Sequence, residues 1–161
     1  MPWGSFVVEW VHILLGIFWF GSALYANFIL APTMMRLSQG AQRELFGALF
    51  GRASAVMTRV GYLTVAAGFI RGTLFGRIQS VDILFGSRYG IVWLIALAVG
   101  LFVALWSHIV LARSAQQTIA MPQPVGASGP IVPPRPDPMP RVVEMVGFFV
   151  LFTLMIVLKF S

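Results

Sequence analysis

The chain contains no cysteine and very few charged residues. Without cysteine there can be no disulfide bond, no thiolate ligand and no iron–sulfur cluster, so a bound metal would have to use imidazole, thioether, carboxylate or amine groups. Charged residues make up 10% of the 161 residues, whereas about 25% is usual in a soluble domain. Hydrophobic residues make up 58%. This balance excludes an ordinary soluble domain and is typical of a membrane protein.

Four apolar stretches are long enough to cross a bilayer, since a helical span needs about 20 residues. They cover approximately residues 5–30, 53–75, 89–112 and 142–158. The first is too long for a signal peptide and lacks a basic start and a small-residue cleavage site, so we expect it to be retained. No internal repeat indicates a duplicated transporter. The sequence therefore predicts an all-α protein, a single transmembrane domain over residues 1–161 with an up-down-up-down four-helix bundle.

The connections between the spans differ in composition. Residues 38–52 place Leu45 and Leu49 at helical spacing with Arg43 on another face, which predicts an amphipathic helix at the headgroups or an extension of the second span. Pro32 is expected to end the first span. The loop 120–141 holds eight of the ten prolines, which favours an extended, exposed linker.

The net charge of +6 is spread over the helix ends and loops, so phospholipid headgroups are expected as its counter-charge and nucleic acid is not. The surface that holds the first and third connections is the more basic one. It carries Arg36, Arg43, Arg52, Arg113, Arg135 and Arg141, while the other carries Arg71, Arg77, Arg88 and Lys159. The protein is expected in a bacterial inner membrane, and the positive-inside rule predicts that both termini lie outside.

Ionisable residues inside a span are costly, by about 2.5 to 3.5 kcal/mol for Arg, Lys or Asp, and usually face the bundle interior for a functional reason. Five such residues require an explanation: His12, Arg59, His108, Glu144 and Lys159. Glu144 either complements the positive end of the fourth helix or pairs with Arg59 or Arg141. Lys159 can extend its amine to the membrane surface.

Each histidine lies on a helix face that is rich in small residues. One face carries His12, Gly16, Trp19, Ala23 and Asn27, and the other carries Trp93, Leu97, Gly100, Ala104 and His108. Small residues beside an imidazole leave room for a flat macrocycle, which predicts haem b with His12 and His108 as iron ligands. Alternatively, the small residues allow close helix packing and each histidine hydrogen-bonds a neighbouring helix. The residues alone leave both interpretations open.

The depths of the two histidines limit how they could cooperate. His12 lies ~8 Å before the middle of the first span and His108 ~11 Å beyond the middle of the third, at 1.5 Å per residue. The first and third spans run in the same direction, so the two rings are expected ~20 Å apart along the membrane normal. Either there are two sites or one histidine binds. Met155 and Lys159 are expected at the depth of His12, and Glu144, Met145, Met57 or Arg59 at that of His108.

Four motifs can be compared with known families: "VHILLGIFWFGSALYANFILAPTMMRLS" in the first helix, "APTMMRLSQGAQRELFGALFGR" after it, "YGIVWLIALAVGLFVALWSHIVLAR" in the third helix and "RVVEMVGFFVLFTLMIVLKFS" in the fourth. They resemble the HemJ-type and copper-resistance-D-like family of small four-helix membrane proteins. HemJ-type proteins are protoporphyrinogen oxidases that carry haem b. The resemblance implies functional roles for His12, His108, Glu144 and Lys159. Ala96 and Leu97 stand near the place where the HemJ-type third helix has a lysine.

The leading hypothesis is a membrane-embedded b-type haem protein that moves electrons between a quinol, porphyrinogen or other small donor and an acceptor, as a homo-oligomer or with a redox partner. Haem would be held without covalent attachment, since the chain has no C-x-x-C-H motif. Trp19 and Trp93 would pack on the macrocycle. Arg59, Arg71 or Arg113 would offer cations to its propionates.

Two other classes remain open. The copper-resistance-D-like side of the resemblance implies copper handling through thioethers, for which Met34 and Met35 are adjacent near the surface. The third class is a non-catalytic membrane subunit whose histidines only connect helices.

Overall fold

The computed structural model describes residues 3–120 and 139–161, and every regular element in these ranges is helical. The elements are α1 (Trp3–Tyr25), a π-helix (Ala26–Leu30), α2 (Ala31–Met34), α3 (Gln39–Thr73), α4 (Val81–Gly86), α5 (Arg88–Ala120) and α6 (Met139–Lys159). The predicted all-α class is confirmed.

Four helical segments are long and apolar enough to cross a membrane: Trp3–Met34, Gly51–Thr73, Arg88–Val110 and Met139–Lys159. Large apolar side chains point outward from them, as at Phe18 and Phe149, which are 50% and 62% exposed. Such surfaces are stable against lipid and unfavourable in water. The helices therefore have the length and composition of an integral membrane protein.

Each long helix runs antiparallel to the one that follows it. As residue numbers rise along one helix, the numbers of the residues that they contact on the next helix fall. The contacts are Trp19 with Gly61 and His12 with Gly68 between α1 and α3, Val65 with Gly100 and Gly72 with Trp93 between α3 and α5, and Leu151 with Gly100 and Gly147 with Val103 between α5 and α6. The predicted up-down-up-down bundle is thus confirmed.

The core lies at mid-height in the bundle, where Trp19, Val103, Ala104 and Phe148 pack together. The rings of Trp19 and Phe148 meet edge to face with 4.8 Å between centroids. In its most apolar stretch α5 has 39% of its residues buried, against 6% for the first and fourth spans. The third span is therefore the centre of the bundle.

The first helix does not end at Pro32, because it passes through this proline and continues to Met34. Proline has no N–H, and its ring would collide with the carbonyl of Phe28 in a regular α-helix. The π-helix provides the necessary change just before it, since the N–H of Ala31 bonds to the carbonyl of Ala26, five residues earlier. The wider turn lets the chain remain helical.

The connection over residues 38–52 is helical and continuous with the second span. Ser38 caps α3 through its hydroxyl, which accepts a hydrogen bond from the Ala41 N–H at 3.4 Å. One helix of 35 residues follows without a break. Of the two alternatives, the geometry is that of a helical extension. Most of the proline-rich linker predicted for 120–141 lies outside the described residues, and α6 begins within its last part, at Met139.

Candidate functional site

His12 faces α3 from the first helix and is half-buried. Its Nδ1 lies 2.9 Å from the backbone carbonyl oxygen of Thr64. A carbonyl oxygen only accepts, so Nδ1 carries the proton and donates it. The neutral ring then presents the lone pair of Nε2, which is the atom and tautomer that ligating histidines use when a carbonyl holds the other nitrogen.

Gly68 makes this position of the imidazole possible. A Cβ atom at residue 68 would lie 2.9 Å from Cε1 of His12, closer than side chains normally approach, and 3.4 Å from Nδ1. Within residues 3–120 and 139–161, Nε2 of His12 has no hydrogen-bond partner. In the same ranges, every fully enclosed nitrogen or oxygen of a side chain does have a partner. Nε2 is therefore accessible at the edge of the α1–α3 contact.

One turn before His12, Glu9 forms an ion pair with Arg71 of α3 at 3.5 Å. Both side chains are partly exposed, so the pair contributes at most about 1 kcal/mol. Sequence reasoning assigned Arg71 to a propionate and gave Glu9 no role. The pairing depends on which residues of α1 and α3 face each other, which the sequence does not specify.

His108 lies on an exposed part of α5, with its Nδ1 3.3 Å from the hydroxyl of Thr58. A hydroxyl both donates and accepts, so this contact sets no tautomer. Thr58 lies six residues from Thr64 and ten from Gly68, or about 9 to 15 Å along α3. The structure therefore does not bring the two histidines together within one chain. The two histidines are displaced from each other along the bundle, as predicted, but by less than the predicted ~20 Å.

Protein atoms occupy the space beside the small residues of the two predicted faces. A Cβ at Gly16 would lie 3.8 Å from the Thr64 methyl group, and one at Gly100 would lie 3.4 Å from Val65. Ala104 is 3% exposed in the core. These small residues allow close contact between helices.

Both tryptophans of the predicted site also pack between helices. The indole of Trp19 lies against Gly61, where a Cβ would be 3.1 Å away, and against Phe148. The indole of Trp93 lies so close to Gly72 that no Cβ could be accommodated there, and its ring centroid is 5.8 Å from that of Phe69. Each indole fills the gap that a glycine leaves on α3.

Glu144 belongs to a polar cluster at the meeting of three helices. The Ser107 hydroxyl of α5 donates to its Oε1 at 2.5 Å, and the Asn27 side chain of the π-helix lies beside the same carboxyl group. Glu144 has no ion pair with Arg59 or Arg141 in the described part of the chain. Ser107 was missed from sequence, although its position next to a predicted ligand on the third span could have indicated it.

The remaining predicted site residues lie at the surface of the bundle. Arg59 and Arg113 are exposed on α3 and α5, Lys159 is exposed at the end of α6, and Met155 is 41% exposed. Cations in such positions can meet lipid headgroups or the carboxylates of a bound molecule.

The donor chemistry of His12 fits an iron ligand, whereas the space between α1 and α3 has no slot for a macrocycle. Within the described ranges, no three His, Asp or Glu side chains converge, as they would to hold a metal ion by side chains alone. An open apolar groove of about 510 Å³ lies on the outer side of α3 and α5. The groove is lined by Tyr62, Val65, Ala66, Phe69, Ile70, Leu97 and Leu101. None of the predicted ligands is among them.

Comparisons with protein-family models, with curated proteins and with solved structures find no match. The HemJ-type and copper-resistance-D-like resemblance rests on its motifs alone.

Proposed function

We propose that the protein is a membrane-embedded b-type haem protein with an electron-transfer role, and that His12 would hold the haem iron through Nε2. The observation that supports this proposal is the hydrogen bond of 2.9 Å between Nδ1 of His12 and the Thr64 carbonyl. Such a bond fixes the tautomer and ring orientation of a ligating histidine and raises the basicity of its other nitrogen. Bound haem would supply one-electron redox chemistry.

The residues of the chain would do the rest by orientation and exclusion of water. Thr64 and Gly68 hold the imidazole, and the apolar helices keep bulk water from it. Because α1 and α3 pack tightly here, a bound haem would be held by His12 from the edge of their contact, where lipid or a second subunit would cover it. A quinol or porphyrin-type donor dissolved in the bilayer would reach this edge directly. Protoporphyrinogen oxidation is the more specific form of the same proposal.

The second candidate is a non-catalytic membrane subunit whose histidines connect helices. It is favoured by the way in which Trp19, Trp93, Gly16 and Gly100 are all used in contacts between helices. In this alternative the bond from His12 to Thr64 is purely interhelical. Copper handling is the third candidate, and it follows from the sequence resemblance.

The absorption spectrum of the protein, purified in mild detergent after expression with ample haem, separates these candidates. We expect reduced-minus-oxidised bands of a b-type cytochrome that disappear in His12→Ala. His108→Ala then reports whether a second ligand or a second site exists. A colourless preparation would contradict the haem proposal, and copper analysis of the same sample would distinguish the other two candidates.

A further inference from the structure

We propose that Gly68 is a positioning residue that, together with the Thr64 carbonyl, restricts His12 to the tautomer protonated on Nδ1. The tautomer of His12 is a property of the protein without cofactor. The consequence of that tautomer for iron ligation rests on the proposed function. Two groups of α3 that the sequence did not indicate thereby join the His12 site.

The contact distances support a specific role for Gly68. A Cβ at this position would lie 2.9 Å from Cε1 of His12, which is a clash, and 3.4 Å from Nδ1 and 3.7 Å from Nε2, which are ordinary contact distances. The imidazole would have to rotate or move away from α3. Either movement lengthens the 2.9 Å bond to the Thr64 carbonyl, which is the interaction that selects the tautomer.

The hydroxyl of Thr64 does not compete for the ring, because it donates to the Val60 carbonyl at 2.7 Å. The acceptor that faces Nδ1 is therefore a backbone atom, which no side-chain substitution removes. A mutation at residue 68 can instead alter the space that is available to the imidazole.

Another glycine of α3 provides a matched control. Gly61 contacts Trp19 of the same helix α1, with a Cβ-to-ring distance of 3.1 Å, and it does not touch His12. Gly61→Ala and Gly68→Ala should both disturb the packing of α1 on α3. Only Gly68→Ala should change the state of the imidazole. Gly51→Ala, on an open part of α3, reports the effect of alanine alone.

The test is nitrogen NMR of ¹⁵N-histidine-labelled full-length protein in lipid nanodiscs without haem. The chain has only two histidines, so in a His108→Asn background every signal comes from His12. We expect a protonated Nδ1 and an unprotonated Nε2 for the neutral ring. We expect Gly68→Ala to give the opposite tautomer or a mixture, and Gly61→Ala and Gly51→Ala to keep the original pattern.

Haem titration of the same variants in the presence of His108 completes the test. Gly68→Ala should lower haem affinity by about tenfold or more, as loss of an outer-shell partner does, while Gly51→Ala should not. A proton on Nε2 in the parent protein, or an unchanged tautomer in Gly68→Ala, would overturn the inference. The same change in Gly61→Ala would also overturn it, since general helix separation would then be the cause. If the tautomers behave as expected but no variant binds haem, the function fails and the positioning stands.

Discussion

Gly72 sets how closely α3 and α5 approach each other, because the Trp93 indole occupies the place where a side chain would begin. The indole is 8% exposed and has Phe69 on another side. In such a packed environment an added methyl group has no free volume to enter.

We therefore expect Gly72→Ala to destabilise the protein by about 1 to 3 kcal/mol, as overpacking of a core commonly does. Reversible unfolding in mixed micelles would measure the effect. Gly51→Ala is the control, since nothing lies within 4 Å of a Cβ there, and it should be neutral or slightly stabilising. Equal effects of the two substitutions would show that the Trp93 contact is not the cause.

The Ser107 and Glu144 side chains form the shortest polar contact between spans in the described part of the chain. A double-mutant cycle with Ser107→Ala and Glu144→Ala should give a coupling energy of about 0.6 kcal/mol, the average for interhelical hydrogen bonds in a membrane, and at most about 1.7 kcal/mol. Micelle unfolding of the four proteins provides the measurement. Additive effects of the two substitutions would contradict a direct bond.

At the scale of the elements, the π-helix explains how Pro32 can lie within a helix. Asn27 belongs to this π-helix and lies beside Glu144, while its side-chain amide donates to the Ala23 carbonyl at 2.9 Å. The distorted part of the first helix therefore contributes a residue to the polar cluster.

Replacing Pro32 by Ala restores an N–H that can bond to the Phe28 carbonyl, so we expect residues 26–32 to become regular α-helix. Amide hydrogen exchange in this segment should slow relative to the parent protein, since the bonds of the π-turn to the fifth preceding residue are replaced by regular α-helical bonds to the fourth. Pro2→Ala serves as the control for loss of a proline elsewhere. Unchanged exchange across residues 26–32 would indicate that the π-turn does not depend on Pro32.

The long helices were predictable because their apolar stretches match the thickness of a bilayer. The pairing of His12 with Thr64 and Gly68 was not predictable, because it depends on the register of α1 against α3. No local sequence pattern encodes that register. The passage of the helix through Pro32 was missed for a related reason, since the π-turn is a small local adjustment that propensities do not reveal. Sequence placed Trp19 and Trp93 near a macrocycle, whereas the structure places both against glycines of α3.

At the scale of the whole molecule, four antiparallel spans place both ends of the chain on the same side as the α3–α5 connection. Gly40, in the first turn of α3 just after the connection that follows the first span, then lies on the opposite side. The absence of cysteine makes this arrangement directly measurable with single introduced thiols.

We expect Gly86→Cys and Ser161→Cys to react with a membrane-impermeant maleimide from one side, and Gly40→Cys from the other. A Cβ added at Gly86 or at Gly40 would meet no atom within 4 Å, so these two substitutions should be tolerated. The arginine distribution predicts that the first two variants react in intact cells and the third in inverted vesicles. Reaction of Gly86→Cys and Ser161→Cys from opposite faces would rule out the four-span arrangement.

The length of α3 has a mechanical consequence. Its 35 residues extend about 52 Å, while the hydrocarbon layer of a bilayer is about 30 Å thick, so the end before Gly51 would project beyond a bilayer that Gly51–Thr73 crosses. The carbonyl of Thr64 belongs to the same unbroken rod. A protein that tilts the projecting end would move that oxygen relative to the imidazole, and would thereby transmit a force from the aqueous phase to a group deep in the lipid.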